Sequence, residues 1–330
     1  MGKLLNLHGQ HTTSFARAQA DEVYELSAYE SVRLLQPLAL ESASDGGLSY
    51  PVVLSLKFEV LPSKDSILNS VSVTLVQLEV EYKNKQMNIS RVSELLEAET
   101  AVGDITLLPE LFSTGYIFND AAEIHELCED FNNSPTIDSL TALATKHQTL
   151  IVAGVAEEDN GQYYNSVVVV DGSGLRHKYR KVSQTKFDKE YFSRGNELLT
   201  FEYKGLKFGV AICFDIWFPE IMRPYQSVDV ILHPANFGGH HSFAIAQARA
   251  LEEGCHIVTC NRVGQDVVDA FTATYCGGSR TYSPKGDLML QLSEHQSVET
   301  INIQDLSIAP QYNGVDVLDE IQQIASALNR

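Results

Sequence analysis

The chain has 330 residues, 44% of them hydrophobic and 20% charged, a mix that fits one large or two smaller globular domains and excludes a mostly disordered or fibrous protein. Lys plus Arg number 24 against 43 Asp plus Glu, a formal charge of -19. Such a surface repels phosphate backbones and anionic lipid, so neither nucleic acid nor a membrane is the expected partner, while a small cationic patch within a pocket stays compatible.

In chain order, residues 1–66 read as an N-terminal extension. Tyr24, Ala28, Val32 and Leu35 fall at helical spacing before Pro37, and Leu54, Phe58 and Val60 alternate with polar residues as in a half-buried strand. The extension carries no catalytic motif and no cysteine, so a structural or oligomerisation role is expected for it. After the polar hinge Pro62 to Ser66, the apolar strand at Val71 begins a domain expected over 67–303. Helices are expected around Ile89 to Leu96 and Ile137 to Ala144. Strands are expected at Ile105 to Leu108, Leu150 to Gly154, Ser166 to Val170, Phe208 to Cys213, Val228 to Leu232 and His256 to Cys260. Short strands that are apolar on both faces, separated by helical patterns, indicate an α/β domain with helices outside. Residues 304–330 form a C-terminal tail.

The five cysteines, Cys128, Cys213, Cys255, Cys260 and Cys276, make an odd set without a CxxC pair, and the first residues, MGKLLNLHGQHTTSF, do not read as a secretory signal. A disulfide framework is not expected, and a reduced, cytoplasmic setting fits. His233, His240, His241, Cys255, His256 and Cys260 cluster in sequence, yet no pair has zinc-finger spacing, so no metal is expected. Gly172-Ser-Gly174 lacks the further glycine and the lysine of nucleotide-binding loops and reads as a plain turn.

Three residues invite a catalytic reading, each with a bland alternative. Cys213 closes an apolar strand just before Phe214-Asp215-Ile-Trp217-Phe-Pro219, where backbone N–H groups could face developing negative charge; on position alone, a buried small hydrophobe is the commoner fate of a free cysteine. Glu110 leaves a strand into the Gly115-containing loop, as a desolvated general base or as an ordinary strand-end carboxylate. Lys181 ends the basic run from His177. Lys178 and Arg180 there read as a solvated face, whereas Lys181 could serve as a fixed charge in a pocket.

Together these segments resemble the nitrilase superfamily of carbon–nitrogen hydrolases, in its amidase-like branch. The matching pieces are Leu107-Leu-Pro-Glu110 with Gly115-Tyr116, Tyr164-Asn165-Ser166, Lys178 to Lys181, Gly209 to Asp215 with Phe218-Pro219-Glu220, Arg249 to Glu252, Asn261 to Gly264, and Gly278-Ser279. They run in order over about 230 residues, from Val71 to Ile303. The resemblance implies an α-β-β-α four-layer sandwich, no cofactor, a small-molecule substrate, and a homodimer or larger homo-oligomer with the C-terminal tail at a subunit interface. It implies a Glu110–Lys181–Cys213 triad that hydrolyses a small amide through a cysteine thioester, with a carbamoyl amine or a nitrile as alternative substrates. Phe214, Tyr116, Trp217, Asn236, Phe237, His240 and His241 become candidates for oxyanion or substrate contact. Two features depart from the family pattern. Asp188 stands where a second glutamate is usual, leaving Asp188 or Glu190 as the second carboxylate, and Val182-Ser183-Gln184 replaces the common His-Leu pair after the lysine. The rival reading is a scaffold or binding protein that keeps the fold with little or no catalysis.

Overall fold

The computed structural model describes residues 23–25, 31–37, 56–61, 70–304, 311–312 and 314–328. The chain divides into two units, Met1–Leu68 and Asn69–Arg330. In the first, the strands Val23–Glu25, Ser31–Pro37 and Leu56–Leu61 pair antiparallel in that order. The helix expected from Val23 to Leu35 is therefore corrected to two strands. Val32 and Leu34 also alternate with Ser31 and Arg33, and ladder pairing with Leu56–Leu61 selects that period over the helical one. The hinge Pro62 to Ser66 lies outside the described residues.

The second unit holds two large sheets. One has the order Ser297–Gln304, Ser70–Gln77, Ile105–Leu107, Leu150–Asp159, Gln162–Asp171 and Gly174–Arg180, with Glu129–Asp130 paired to Leu150–Asp159. The other runs Thr200–Tyr203, Leu206–Val210, Val230–Pro234, His256–Cys260, Arg280–Tyr282 and Leu288–Gln291. The middle strands of each are parallel, which requires crossover connections and cover on both faces.

Alternation of side chains explains the layering. Val73, Leu75, Val167 and Val169 join Phe208, Val210 and Leu232 in one apolar cluster. Their sequence neighbours Val76, Val168 and Val170 turn the other way, onto Val92 and Leu96 of the helix Lys85–Ala98 and Ile137 and Leu140 of the helix Pro135–His147. The helix His241–Glu253 adds Phe243, Ala246 and Ala250 to the first cluster. Both outer helices of the first sheet start as their sequences dictate: Asn84 and Ser134 cap them by accepting from the N–H of Met87 and Ile137.

Beyond the expected elements, the second unit contains the hairpin Val263–Val267/Thr272–Cys276 and a C-terminal helix, Val317–Leu328. Among the described residues no helix is long and apolar enough to cross a membrane.

Candidate active site

Strand direction brings the chemistry to the carboxyl ends of strands in the second unit. Glu110 follows the parallel strand Ile105–Leu107. Lys181 follows Gly174–Arg180, which two successive antiparallel pairings turn back to the direction of Leu150–Asp159. Cys213 and Asn236 follow Leu206–Val210 and Val230–Pro234, parallel neighbours in the other sheet. Loops at the carboxyl ends of such strands are where α/β folds gather functional groups.

Each side chain is held by its surroundings. A Cβ on Gly154 would lie 2.5 Å from the Cα of Glu110, so only glycine lets the Glu110 backbone cross that strand. Past Glu110, the loop is tied at Tyr116 and Ile117, whose N–H groups donate to Asp266 Oδ2 at 2.8 and 3.1 Å. Asp266 is itself paired with Arg262 at 2.9 Å, both fully buried. Cys213 opens a short 3-10 turn, Cys213–Trp217, three residues after the strand end expected to contain it, and its φ is +45°. Asp215 fixes that turn. Its Oδ2 accepts from the Ile212 N–H at 2.9 Å and the Tyr179 hydroxyl at 2.7 Å, and its Oδ1 accepts from the Ser183 N–H at 2.7 Å. One buried carboxylate thus ties the cysteine turn to the residues on either side of Lys181.

Glu110, Lys181 and Asp188 form a single buried cluster. Lys181 Nζ donates to Glu110 Oε1 at 2.8 Å and to Asp188 Oδ2 at 2.9 Å, and sits 5.2 Å from the Tyr116 ring centre. Asn165 Nδ2 donates to the same Glu110 oxygen at 2.8 Å and to Asp188 Oδ1 at 3.2 Å. Asp188 also caps its own helix, accepting from Thr185 N–H at 2.9 Å, and takes the Tyr116 hydroxyl at 2.9 Å. The other Glu110 oxygen, Oε2, is buried without a hydrogen-bond partner.

The electrostatics follow from this crowding. Burial raises Glu110 above the usual carboxylate range; Lys181 opposes the shift and the charge of Asp188 adds to it. Burial also works against the charged form of Lys181, but Asp188 and Glu110 outweigh it and hold the ammonium well above the ordinary lysine range. Asp188 stays below the usual range, because Lys181 and the Thr185 donors overcome its burial. Cys213 is pushed well up by burial and then by the charge of Glu110, against the pull of Lys181 and a hydrogen bond from the Asn236 N–H. A thiol held neutral beside a raised carboxylate with a spare oxygen is an arrangement in which the carboxylate can take the thiol proton.

The remaining sequence candidates separate. Tyr116 belongs to the cluster through Asp188, whereas Glu190 is exposed on the same short helix. Asn236 is buried beside Cys213, with both side-chain polar atoms unpartnered. Phe214 is half-buried among Trp217 and Phe218, and Phe237 packs on His233 and Phe243. His240 and His241 are exposed: the first meets Arg280 and Glu294, the second stands 5.7 Å from Trp217. Neither has a hydrogen bond to the Glu110–Lys181–Asp188 cluster. Among the described residues no group of three or more His, Cys, Asp or Glu side chains is placed to hold a metal. Sequence reasoning missed Asn165, Asp215 and the Arg262–Asp266 pair as parts of the site. For Asp215 the signal was a carboxylate inside the apolar run from Val210 to Phe218; Asn165, Arg262 and Asp266 stand among polar neighbours that gave none.

Comparison with known proteins points the same way. Residues 72–310 match the carbon-nitrogen hydrolase family. The chain is 33% identical over 242 residues to a nitrilase of Pyrococcus abyssi, covering 72% of this chain and 90% of that one. It is 29% identical over 261 residues to the 2-oxoglutaramate amidase of Bacillus subtilis, covering 76% and 98%. Among solved structures, a CN-hydrolase superfamily protein from Xanthomonas campestris superposes with a TM-score of 0.65 at 23% identity, covering 79% of this chain and 97% of that one.

Proposed function

Because this chain belongs to the carbon–nitrogen hydrolase family and is an amidase-like enzyme of the nitrilase superfamily, we propose that it hydrolyses a small amide through a thioester on Cys213, with Glu110 and Lys181 completing the triad. The observation that carries this reading is the buried Lys181 bridging Glu110 and Asp188 while Glu110 Oε2 is left without a partner.

Glu110 takes the thiol proton as the sulfur attacks the amide carbon, and the carbonyl π pair moves onto oxygen. Lys181 and the Phe214 N–H stabilise that oxyanion; the first N–H groups of a helical turn have no carbonyl one turn back to bind. As the intermediate collapses, the C–N bond breaks and Glu110 returns its proton to the departing ammonia or amine. A water deprotonated by the same carboxylate then attacks the thioester, releasing the acid and regenerating the thiol. Asp188 is the second carboxylate in this reading: it holds Lys181 in place and keeps it charged. Asn236 favours a carboxamide, since its free Nδ2 and Oδ1 match a group that both accepts and donates, whereas a nitrile only accepts.

Intact-mass spectrometry after incubation with amides, carbamoyl amines and nitriles tests the proposal. Wild type should gain an acyl mass at Cys213 with amides and turn them over, and Cys213→Ala should lose turnover on the order of 10^4-fold or more. Turnover that survives in Cys213→Ala would refute the thioester route.

A further inference from the structure

His233 is a fully buried histidine that the triad does not use, and its two ring nitrogens have one partner each. Nε2 lies 3.0 Å from the backbone oxygen of Cys213, and Nδ1 lies 3.0 Å from Thr259 Oγ1. A carbonyl only accepts, so Nε2 carries the proton and Nδ1 accepts from the Thr259 hydroxyl. His233 and Thr259 are register partners on the parallel strands Val230–Pro234 and His256–Cys260, and the Phe237 ring stands 5.6 Å away. The imidazole is thus fixed in place and in tautomer. It is also fixed in charge: burial, with the nearby Lys181 helping, lowers its pKa to about 4 despite the Cys213 carbonyl.

We propose that His233 is a positioning residue that sets the plane of the Cys213–Phe214 peptide and thereby aims the Phe214 N–H at the oxyanion. The proposal rests on the thioester reading above. The peptide group is planar and there is no cis bond among the described residues, so the carbonyl of Cys213 and the N–H of Phe214 point in opposite directions within one rigid unit. Holding the oxygen fixes the direction of the hydrogen. The hold is needed because Cys213 sits at φ +45°, a region that non-glycine residues leave when nothing restrains them. A hydrogen bond accepted by the oxygen also polarises the amide and strengthens its N–H as a donor.

Two reactions of the same sulfur separate this role from a merely structural one. Acylation by p-nitrophenyl acetate passes through a tetrahedral oxyanion and releases p-nitrophenolate. Alkylation by iodoacetamide forms a C–S bond with loss of iodide and develops no oxyanion. Deleting an oxyanion donor costs about 10²- to 10³-fold, so loosening one should cost less. In His233→Leu, acylation should fall about 10- to 100-fold while KM and the alkylation rate of Cys213 stay within about threefold, and His233→Gln, whose amide can still donate to the carbonyl, should recover most of the loss. Thr259→Val, which removes the partner of Nδ1, should show a smaller fall with the same selectivity, and carries the test if His233→Leu does not fold. Unchanged acylation, or a parallel fall in both rates, would overturn the role of His233 and leave the thioester reading standing. A wild type that p-nitrophenyl acetate does not acylate would overturn both.

Discussion

Arg180 and Lys181 are consecutive, each engages two carboxylates, and they do opposite work. Arg180 turns to the sheet surface, where it bonds Glu157 and Asp159, joined by Lys178 on Glu157 at 2.6 Å. Lys181 turns inward to Glu110 and Asp188. Glu157 has every lone pair it needs in use, with Ser166 adding a bond at 2.6 Å, and hydrogen bonds from Arg180, Lys178 and Ser166 overcome its burial and hold its pKa down. Glu110 shares its single cation with Asp188, and burial prevails. On the proposed reading, a buried ion pair is neither structural nor catalytic in itself. What decides is whether the carboxylate keeps a free oxygen and a proton affinity worth using.

That contrast can be broken most sharply at the two glutamates. Glu110→Gln should lower kcat by about 10²- to 10⁴-fold, the usual worth of a general base, with a nearly unchanged denaturation midpoint. Glu157→Gln should leave kcat within about threefold but cost roughly 1–3 kcal/mol in urea unfolding, a figure discounted because Arg180 and Lys178 are partly exposed. Kinetics and melts that failed to separate the two variants would undo the comparison.

A smaller effect is expected within the cluster. Asp188→Asn should reduce turnover by roughly 10- to 100-fold through displacement of Lys181, whereas the exposed Glu190→Gln should change it less than about twofold. Steady-state rates of the two variants decide which acid serves.

The smallest expected effect concerns a buried carboxylate with no cation at ion-pair distance among the described residues. Burial, with Glu252 adding to it, raises Glu253 to about 7, and its Oε2 has no partner. Between the ordinary carboxylate value and about 7, the folded chain binds more protons than the unfolded one. Stability due to this group is therefore fully present at low pH and declines as pH rises through that window, by about 1–3 kcal/mol. Glu253→Gln should raise the Tm at pH 8 more than at pH 5 in thermal melts.

Much of this was legible in the sequence. The strands buried on both faces announced the layered α/β fold, and the ordered motifs pointed to Glu110, Lys181 and Cys213. Asp188 and Glu190 could not be separated, because two residues along a short helix decide between a buried cluster and solvent, and a capping bond to Thr185 makes that choice. Lys178 is exposed as its basic run suggested, but the bonds of Lys178 and Arg180 to Glu157, more than 20 positions away, could not be read there. The strand at Leu56–Leu61 was expected from its alternation, whereas Val23–Glu25 and Ser31–Pro37 were misread because Tyr24, Ala28, Val32 and Leu35 satisfy a helical period that pairing overrides. His233 was read only as one of a loose His/Cys cluster and not as a positioning group, since a parallel strand neighbour and a turn 20 residues earlier give its ring nitrogens their partners.

The backbone angle of Cys213 has a bearing on why that residue is there at all. An L-residue held at this φ costs roughly 1–2 kcal/mol relative to the right-handed region, a penalty glycine escapes. Folding alone would therefore prefer something without a side chain at this spot, although packing does hold the buried Leu111 at a similar φ of +46°. On the thioester reading, a sulfur kept where conformation disfavours it serves the reaction and not the fold, and any design that stabilises this chain by relaxing the elbow should surrender turnover in return.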